Sequence, residues 1–235
     1  MLIGNLNNKM MLKSIKTSVL ALLLIGTAFY AHAQKKISQG TIVYGVTYDL
    51  SAEQKSTIDV SALPKENKLE FNGNISKLAM EMGPTVLTIF KDGAENNALL
   101  LIDIPIAQKQ IATKMSKEDI EKQAGSIKYS DFKATGVKEV VSGYNTEKYT
   151  YKDDKGTAYE LWLTKDVELT PGAANSEFKD LKGTPIKFTL NQNTIKTTLT
   201  IKSIKESAVG PFSLAVPEGY ELLTMAELEA LRGGG

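Results

Sequence analysis

From Gly40 to Leu50 the apolar residues fall on every second position: Ile42, Tyr44, Val46, Tyr48 and Leu50 share one side, with Thr41, Thr47 and Asp49 opposite. A period of two belongs to a strand with one face in a core and one in water, and it does not fit an amphipathic helix. The pattern returns along the chain. Leu69 and Phe71 lead into Asn72-Gly73, after which Leu78, Met80 and Met82 alternate again, and Asn-Gly between alternating runs signals a hairpin. Runs from Thr85 to Phe90 and from Ala98 to Ile106 flank a turn over 91–97. The second of these is apolar on both sides apart from Asp103, which predicts a strand covered twice, by sheet neighbours and by a helix or a ligand.

Further strands are predicted over Lys128 to Thr135 and Val137 to Ser142, and a hairpin pairs Thr146 to Lys152 with Thr157 to Thr164 across Asp153-Asp154-Lys155-Gly156. Two regular strands follow at Ile186 to Asn191 and Thr194 to Ile204. One helix is predicted before the C-terminus, opened by the capping box Ser116-Lys117-Glu118-Asp119, running to about Gln123 and ended by Gly125. A second short helix is expected from Thr224 to Leu231. A segment rich in Pro, Gly, Ala and Asn, Lys165 to Pro185, reads as a long loop, and loops of that length are usually functional or mobile. The fold class expected is mainly β (α+β), with one or two short helices on an antiparallel sandwich, barrel or curved sheet.

The start of the chain has a different character. Met11-Leu12-Lys13-Ser14-Ile15-Lys16, an apolar stretch from Val19 to Tyr30, and Ala31-His32-Ala33 before Gln34 form the basic, apolar and small-x-small parts of a secretory signal peptide. The expectation is a leader over 1–33, whatever the true start among Met1, Met10 and Met11, with cleavage between Ala33 and Gln34. The apolar stretch is too short to span a membrane, which takes about 20 residues. Transient contact with the secretion machinery and a periplasmic or secreted location follow. Residues 34–232 are then one β-rich domain and Gly233 to Gly235 a flexible tail.

Export removes chemistry as well as residues. The only histidine, His32, lies in the leader and there is no cysteine, so the mature domain has no Ser-His-Asp triad, no Cys-His pair, no disulfide and no His or Cys metal ligand. Losing the leader's three lysines takes the 28 basic residues to 25 against 27 acidic, a net charge of −2 that offers no footprint for nucleic acid. The acids Glu118, Asp119 and Glu121 suit a first helical turn, and Asp153-Asp154 suits a turn. Asp103 is expected to pair with a lysine or to mark a strand edge. Tyr144, Tyr149, Tyr151, Tyr159 and Trp162 gather on one hairpin, either as cross-strand pairs or as the rim of a cavity.

Several short motifs resemble an exported family of unknown function found in Gram-negative envelopes and related to LolA-like lipoprotein carriers. They are Gly40-Thr41-Ile42-Val43-Tyr44, Ser142 to Tyr149, Tyr159-Glu160-Leu161-Trp162-Leu163-Thr164, Gly183 to Lys187, and Phe212 through Val216-Pro217-Glu218-Gly219-Tyr220. The resemblance implies a curved, incomplete antiparallel barrel with helices closing a concave side that holds acyl chains, and it brings no catalytic residue. The carriers use an arginine to help close their lid, whereas the only arginine here is Arg232, which argues against lipoprotein transfer itself.

Together these readings predict a non-enzymatic envelope protein that binds a lipid, an acylated molecule or another apolar ligand in the concave face of a half-barrel. Leu78, Met80, Met82, Leu87, Ile89, Leu100, Ile102 and Trp162 are the candidate lining, with no metal and no cofactor. The alternative is a structural or protein-interaction module of the envelope without a small ligand, meeting an envelope protein partner through loops such as Lys165 to Pro185.

Overall fold

The alternating runs pair into one long sheet. In this computed structural model residues 34–123, 127–192 and 195–233 are described. The chain divides into two units, 1–34 and 35–235, and the second carries the elements below. The expected leader, its cleavage point, His32, Gly125 and the last two glycines lie outside the described residues.

The elements are β1 (Lys35–Ile37), β2 (Gln39–Asp49), α1 (Ala52–Thr57), β3 (Glu66–Asn72), β4 (Ile75–Met82), β5 (Thr85–Asp92), β6 (Asn97–Ile104), β7 (Lys109–Met115), α2 (Lys117–Gln123), β8 (Ser130–Val141), β9 (Tyr144–Lys152), β10 (Ala158–Thr164), β11 (Val167–Leu169), β12 (Thr184–Gln192), β13 (Ile195–Glu206), β14 (Glu221–Leu222) and α3 (Met225–Gly233). Among the described residues twelve strands form one sheet in the order β14-β7-β6-β5-β4-β3-β2-β13-β12-β10-β9-β8, and β1 pairs with β11 as a separate parallel ribbon. Apart from β14, which runs parallel to β7, the neighbours are antiparallel. The two ends of the sheet, β14 and β8, do not meet, so it is an incomplete barrel, mainly β as expected.

Residues opposed across an antiparallel pair share a face, so the register sorts the side chains. The inner face carries Ile42, Phe71, Ile201, Phe188, Leu161 and Tyr151, all buried. A bulge between Ile201 and Ser203 shifts β13 by one residue and returns Ile204 to the inner face opposite Ile42. Over β2, β12 and β13 this face is covered by the segment expected as a long loop. Ile37 of β1, Val167 of β11 and Ala173 are buried against Ile42, Phe71, Ile186 and Ile201. Phe178, in a single 3₁₀ turn, is buried in a second cluster with Tyr151, Tyr159, Leu161 and Phe188. The segment is therefore a packed lid, tied through the Gly172 N–H to turns that are themselves joined at glycines. Gly73 N–H donates to the Ser38 carbonyl (2.8 Å), Gly172 N–H to Gly73 (3.1 Å) and Gly93 N–H to Asn74 (2.8 Å).

The twice-greasy strand β6 is covered twice by the chain itself. Inward, Leu100 and Ile102 pack on α3, whose Leu228 is buried; outward, Leu99, Leu101 and Ala112 lie beneath Leu214, Val216 and Tyr220 of a strap leading to β14. Among the described residues Asp103 pairs with no lysine. Tyr220 Oη donates to its Oδ1 and Oδ2 at 2.8 and 2.7 Å, and Gln110 Nε2 donates at 2.9 Å. Burial, together with this carboxylate, pushes the Tyr220 hydroxyl up to about 12. A hydrogen bond to a charged group contributes about 1.5–3 kcal/mol, so Tyr220→Phe is expected to cost about 2 kcal/mol in urea unfolding. An unchanged midpoint would mean that this hydroxyl does not hold the strap.

Two other features differ from the sequence reading. Among the described residues there are three helices, because α1 is opened by a second capping box in which Gln54 N–H donates to Ser51 Oγ (3.1 Å) and Ser51 N–H to Gln54 Oε1 (2.9 Å). None of its residues is buried, so it has no apolar stripe to betray it. The two strands expected on either side of Gly136 are one, β8, with Gly136 (φ 77°) inside a bulge between Ala134 and Lys138. That bulge, a second one at Ser130/Lys133, and the exposed Lys133 and Lys138 blunt the free edge against further pairing.

Candidate functional site

From β3 to β7 the register lays the inner face out in rows. One row is Phe71, Ser76, Lys91, Ala98 and Met115; the next is Leu69, Leu78, Ile89, Leu100 and Thr113; a third, from β4 onward, is Met80, Leu87, Ile102 and Ile111. α3 covers the β6–β7 side of these rows and the lid covers Phe71. Between the two covers Leu69, Leu78, Met80, Leu87 and Ile89 are half-buried, and Met82 at the end of β4 is 59 % exposed. The result is an apolar strip along β4 and β5 that the described residues cover only in part.

Seven of the eight candidate lining residues, Leu78, Met80, Met82, Leu87, Ile89, Leu100 and Ile102, stand on this inner face. Leu100 and Ile102 are already buried against Leu228, which leaves the strip to the other five. Trp162 is the exception. On β10 it is Tyr159, Leu161 and Leu163 that point inward, so Trp162 lies on the outer face between Lys148 and Lys187. There Lys148 Nζ stands 5.8 Å from the ring centroid and 2.7 Å from Glu160 Oε1. The other tyrosines form no rim. Tyr151 stacks on Tyr159 at 5.5 Å, with Tyr129, Phe132 and Phe178 packed around them, and the Tyr151 hydroxyl donates to the Thr189 carbonyl.

The sequence reading misses Lys91, which it assigns to a turn. It shares the odd-numbered face of β5 with Ile89 and Leu87, and in the three rows it is the one charged side chain. Its ammonium donates to Ser176 Oγ of the lid at 3.4 Å. Burial holds Lys91 below the usual lysine range, opposed by the nearby Glu177 carboxylate. Burial in turn raises Glu177 above the usual carboxylate range, opposed by Lys91 and Lys179. Tyr44, also on the inner face and edge-on to Phe188 at 6.4 Å, has its hydroxyl pushed well up by burial.

A cleft of about 550 Å³ lies elsewhere, where the β8–β9 hairpin meets the β10–β11 turn. Lys138, Glu139, Glu147, Lys165 and Asp166 line it, and Asp166 Oδ2 accepts from Asn145 N–H and Nδ2 at 2.9 and 3.0 Å. Its mixed charge does not suit an acyl chain. Among the described residues no group of three or more acids is placed to hold a metal ion, and no helix is long and apolar enough to cross a membrane.

No curated protein matches the chain. Among solved structures it is similar to the lipoprotein LppX of Mycobacterium tuberculosis, at 12% identity and a TM-score of 0.38 over 74% of this chain and 89% of that one. It is also similar to LprF from Mycobacterium bovis, at 10% identity and a TM-score of 0.34 over 76% and 90%. A family model described as a domain of unknown function, DUF4412, matches residues 40–174, from the second residue of β2 through β11 into the lid. That span is more than half of the sequence, and the chain belongs to the DUF4412 family.

Proposed function

We propose that this is an exported, non-enzymatic envelope protein that binds a lipid or another apolar ligand along the inner face of its open sheet. The observation that carries the reading is the strip of Leu69, Leu78, Met80, Leu87 and Ile89, apolar and half-buried between lid and α3. Apolar patches left uncovered in this way mark interaction sites. Methionines at 80 and 82 suit a ligand of variable shape. A fourteen-carbon chain gains about 11 kcal/mol gross at about 0.8 per methylene, against a binding cost of about 4–15 kcal/mol. A strip already shaped by the sheet keeps that cost toward its lower end. The non-enzymatic part of the reading rests on residues 34–235 having neither histidine nor cysteine.

The test is native mass spectrometry of the protein purified from the cells that make it, together with uptake of a fluorescent fatty acid. Co-purifying lipid is expected, and Leu87→Asp is expected to lower uptake tenfold or more while circular dichroism stays unchanged. No bound lipid and no uptake would overturn the reading. The alternative, an interaction module filled by its own side chains, is supported by Leu228 occupying the inner face over Leu100 and Ile102. It predicts an empty spectrum and no response to Leu87→Asp.

A further inference from the structure

The apolar strip has a charged end. On β5 the inward positions run Thr85, Leu87, Ile89, Lys91, a stripe of roughly 20 Å at about 3.3 Å per residue. A single acyl tail spans about half of a 30 Å hydrocarbon core, or about 15 Å. The cross-strand neighbours of Lys91, Ser76 and Ala98, are small, so the ammonium is not screened by bulky side chains on its own sheet. Above it passes the lid, with Ser176 and Glu177.

An ammonium has three donors. Among the described residues Lys91 has one side-chain hydrogen bond, the long one to Ser176 Oγ at 3.4 Å, and its carboxylate neighbour, Glu177, forms no ion pair with it within 4 Å. Both side chains are half-buried, and burial disfavours the charge of each while the other's charge opposes that effect. An anion arriving at the end of the strip would supply the charge-assisted hydrogen bonds that Ser176 and Glu177 do not.

Resting on the reading of the strip as a lipid site, we infer that its ligand is an acyl chain ending in an anion, a carboxylate or a phosphate, with the anion on Lys91 and the tail along Ile89, Leu87 and Met80. Lys91 thus selects charged over neutral lipids, and Glu177 opposes the same head group by like-charge repulsion.

The experiment is titration calorimetry on the delipidated full chain with myristate, its neutral counterpart tetradecanol, and inorganic phosphate. Myristate is expected to bind at least tenfold more tightly than tetradecanol. Lys91→Met should erase that difference, Lys91→Arg should keep it, and Glu177→Gln should tighten myristate several-fold. Equal affinity for myristate and tetradecanol in the unmodified chain, a comparison that needs no variant to fold, overturns the inference while leaving the lipid reading intact. Phosphate binding as tightly as myristate also overturns it, since the anion would then be bound without the strip. Binding of neither lipid overturns both.

Discussion

Gly93→Ala is expected to destabilise the fold by about 3 kcal/mol, the upper end of what forced overpacking costs, and to free the lid from the sheet. A Cβ at Gly93 would collide with the Pro171 carbonyl oxygen and lie 2.6 Å from the Pro171 carbonyl carbon. Both are backbone atoms, so no rotamer change relieves the clash. Pro171 cannot retreat easily, because a Cβ on the next residue, Gly172, would itself lie 2.8 Å from the Gly73 carbonyl oxygen and from the Asn74 carbonyl carbon. The three turns are packed backbone to backbone. Urea unfolding should show the loss, and amide exchange should show the Gly172 and Ala173 amides losing protection ahead of those of β2 and β13. A midpoint within 0.5 kcal/mol of the parent, on the scale of an ordinary surface change, would mean that the lid yields without cost.

Phe178→Ala should act at the other end of the same lid, lowering stability by about 3–4 kcal/mol, as is usual for a buried phenylalanine. Its ring is 3 % exposed and meets Phe188 at 5.2 Å, Tyr151 at 5.5 Å and Phe132 at 5.9 Å, each edge to face. Truncation leaves a hole lined by aromatic faces that rigid strands β9 and β12 cannot close. Phe178→Leu, which refills part of the volume, should recover about half of the loss. Equal losses for the two would point to the lid backbone rather than the ring. Combined with Gly93→Ala, the double variant should lose less than the sum of the two single losses, since either change alone loosens the same segment.

Most of the sheet is legible in the sequence because strands signal themselves locally. Alternation marks β2, β4 and β13, Asn72-Gly73 marks one hairpin and Asp153 to Gly156 another. What escapes is whatever depends on distant partners. β1 and β14, of three and two residues, are too short to show a period, and each pairs in parallel with a strand far away in the chain. The lid looks like a loop because its apolar residues, Val167, Ala173 and Phe178, are scattered, and its hydrogen bonds go to Ser38, Gly73 and the glycine turns. In the site, the shared face of Leu78, Met80, Leu87 and Ile89 follows from parity within neighbouring strands. The face of Trp162 does not, because four strands lie between β4 and β10 in the sheet order, and parity cannot be carried across bulges at Ile201 and at Trp162. Lys91 escapes for the opposite reason. Its charge suggests a turn, although its position continues the apolar stripe of β5.

The double cover of β6 also sets an order of assembly. Chains emerge N-terminus first, so β2 to β13 are all available while the strap and α3 are still to come. Until residues 212–228 arrive, Leu99 and Leu101 are bare on one side and Leu100 and Ile102 on the other. The final stretch thus works as a closing clasp. A chain clipped by an exopeptidase back to Glu206 would keep its long strands but show a fully apolar ribbon on both sides, and it would be sticky and short-lived among other proteins.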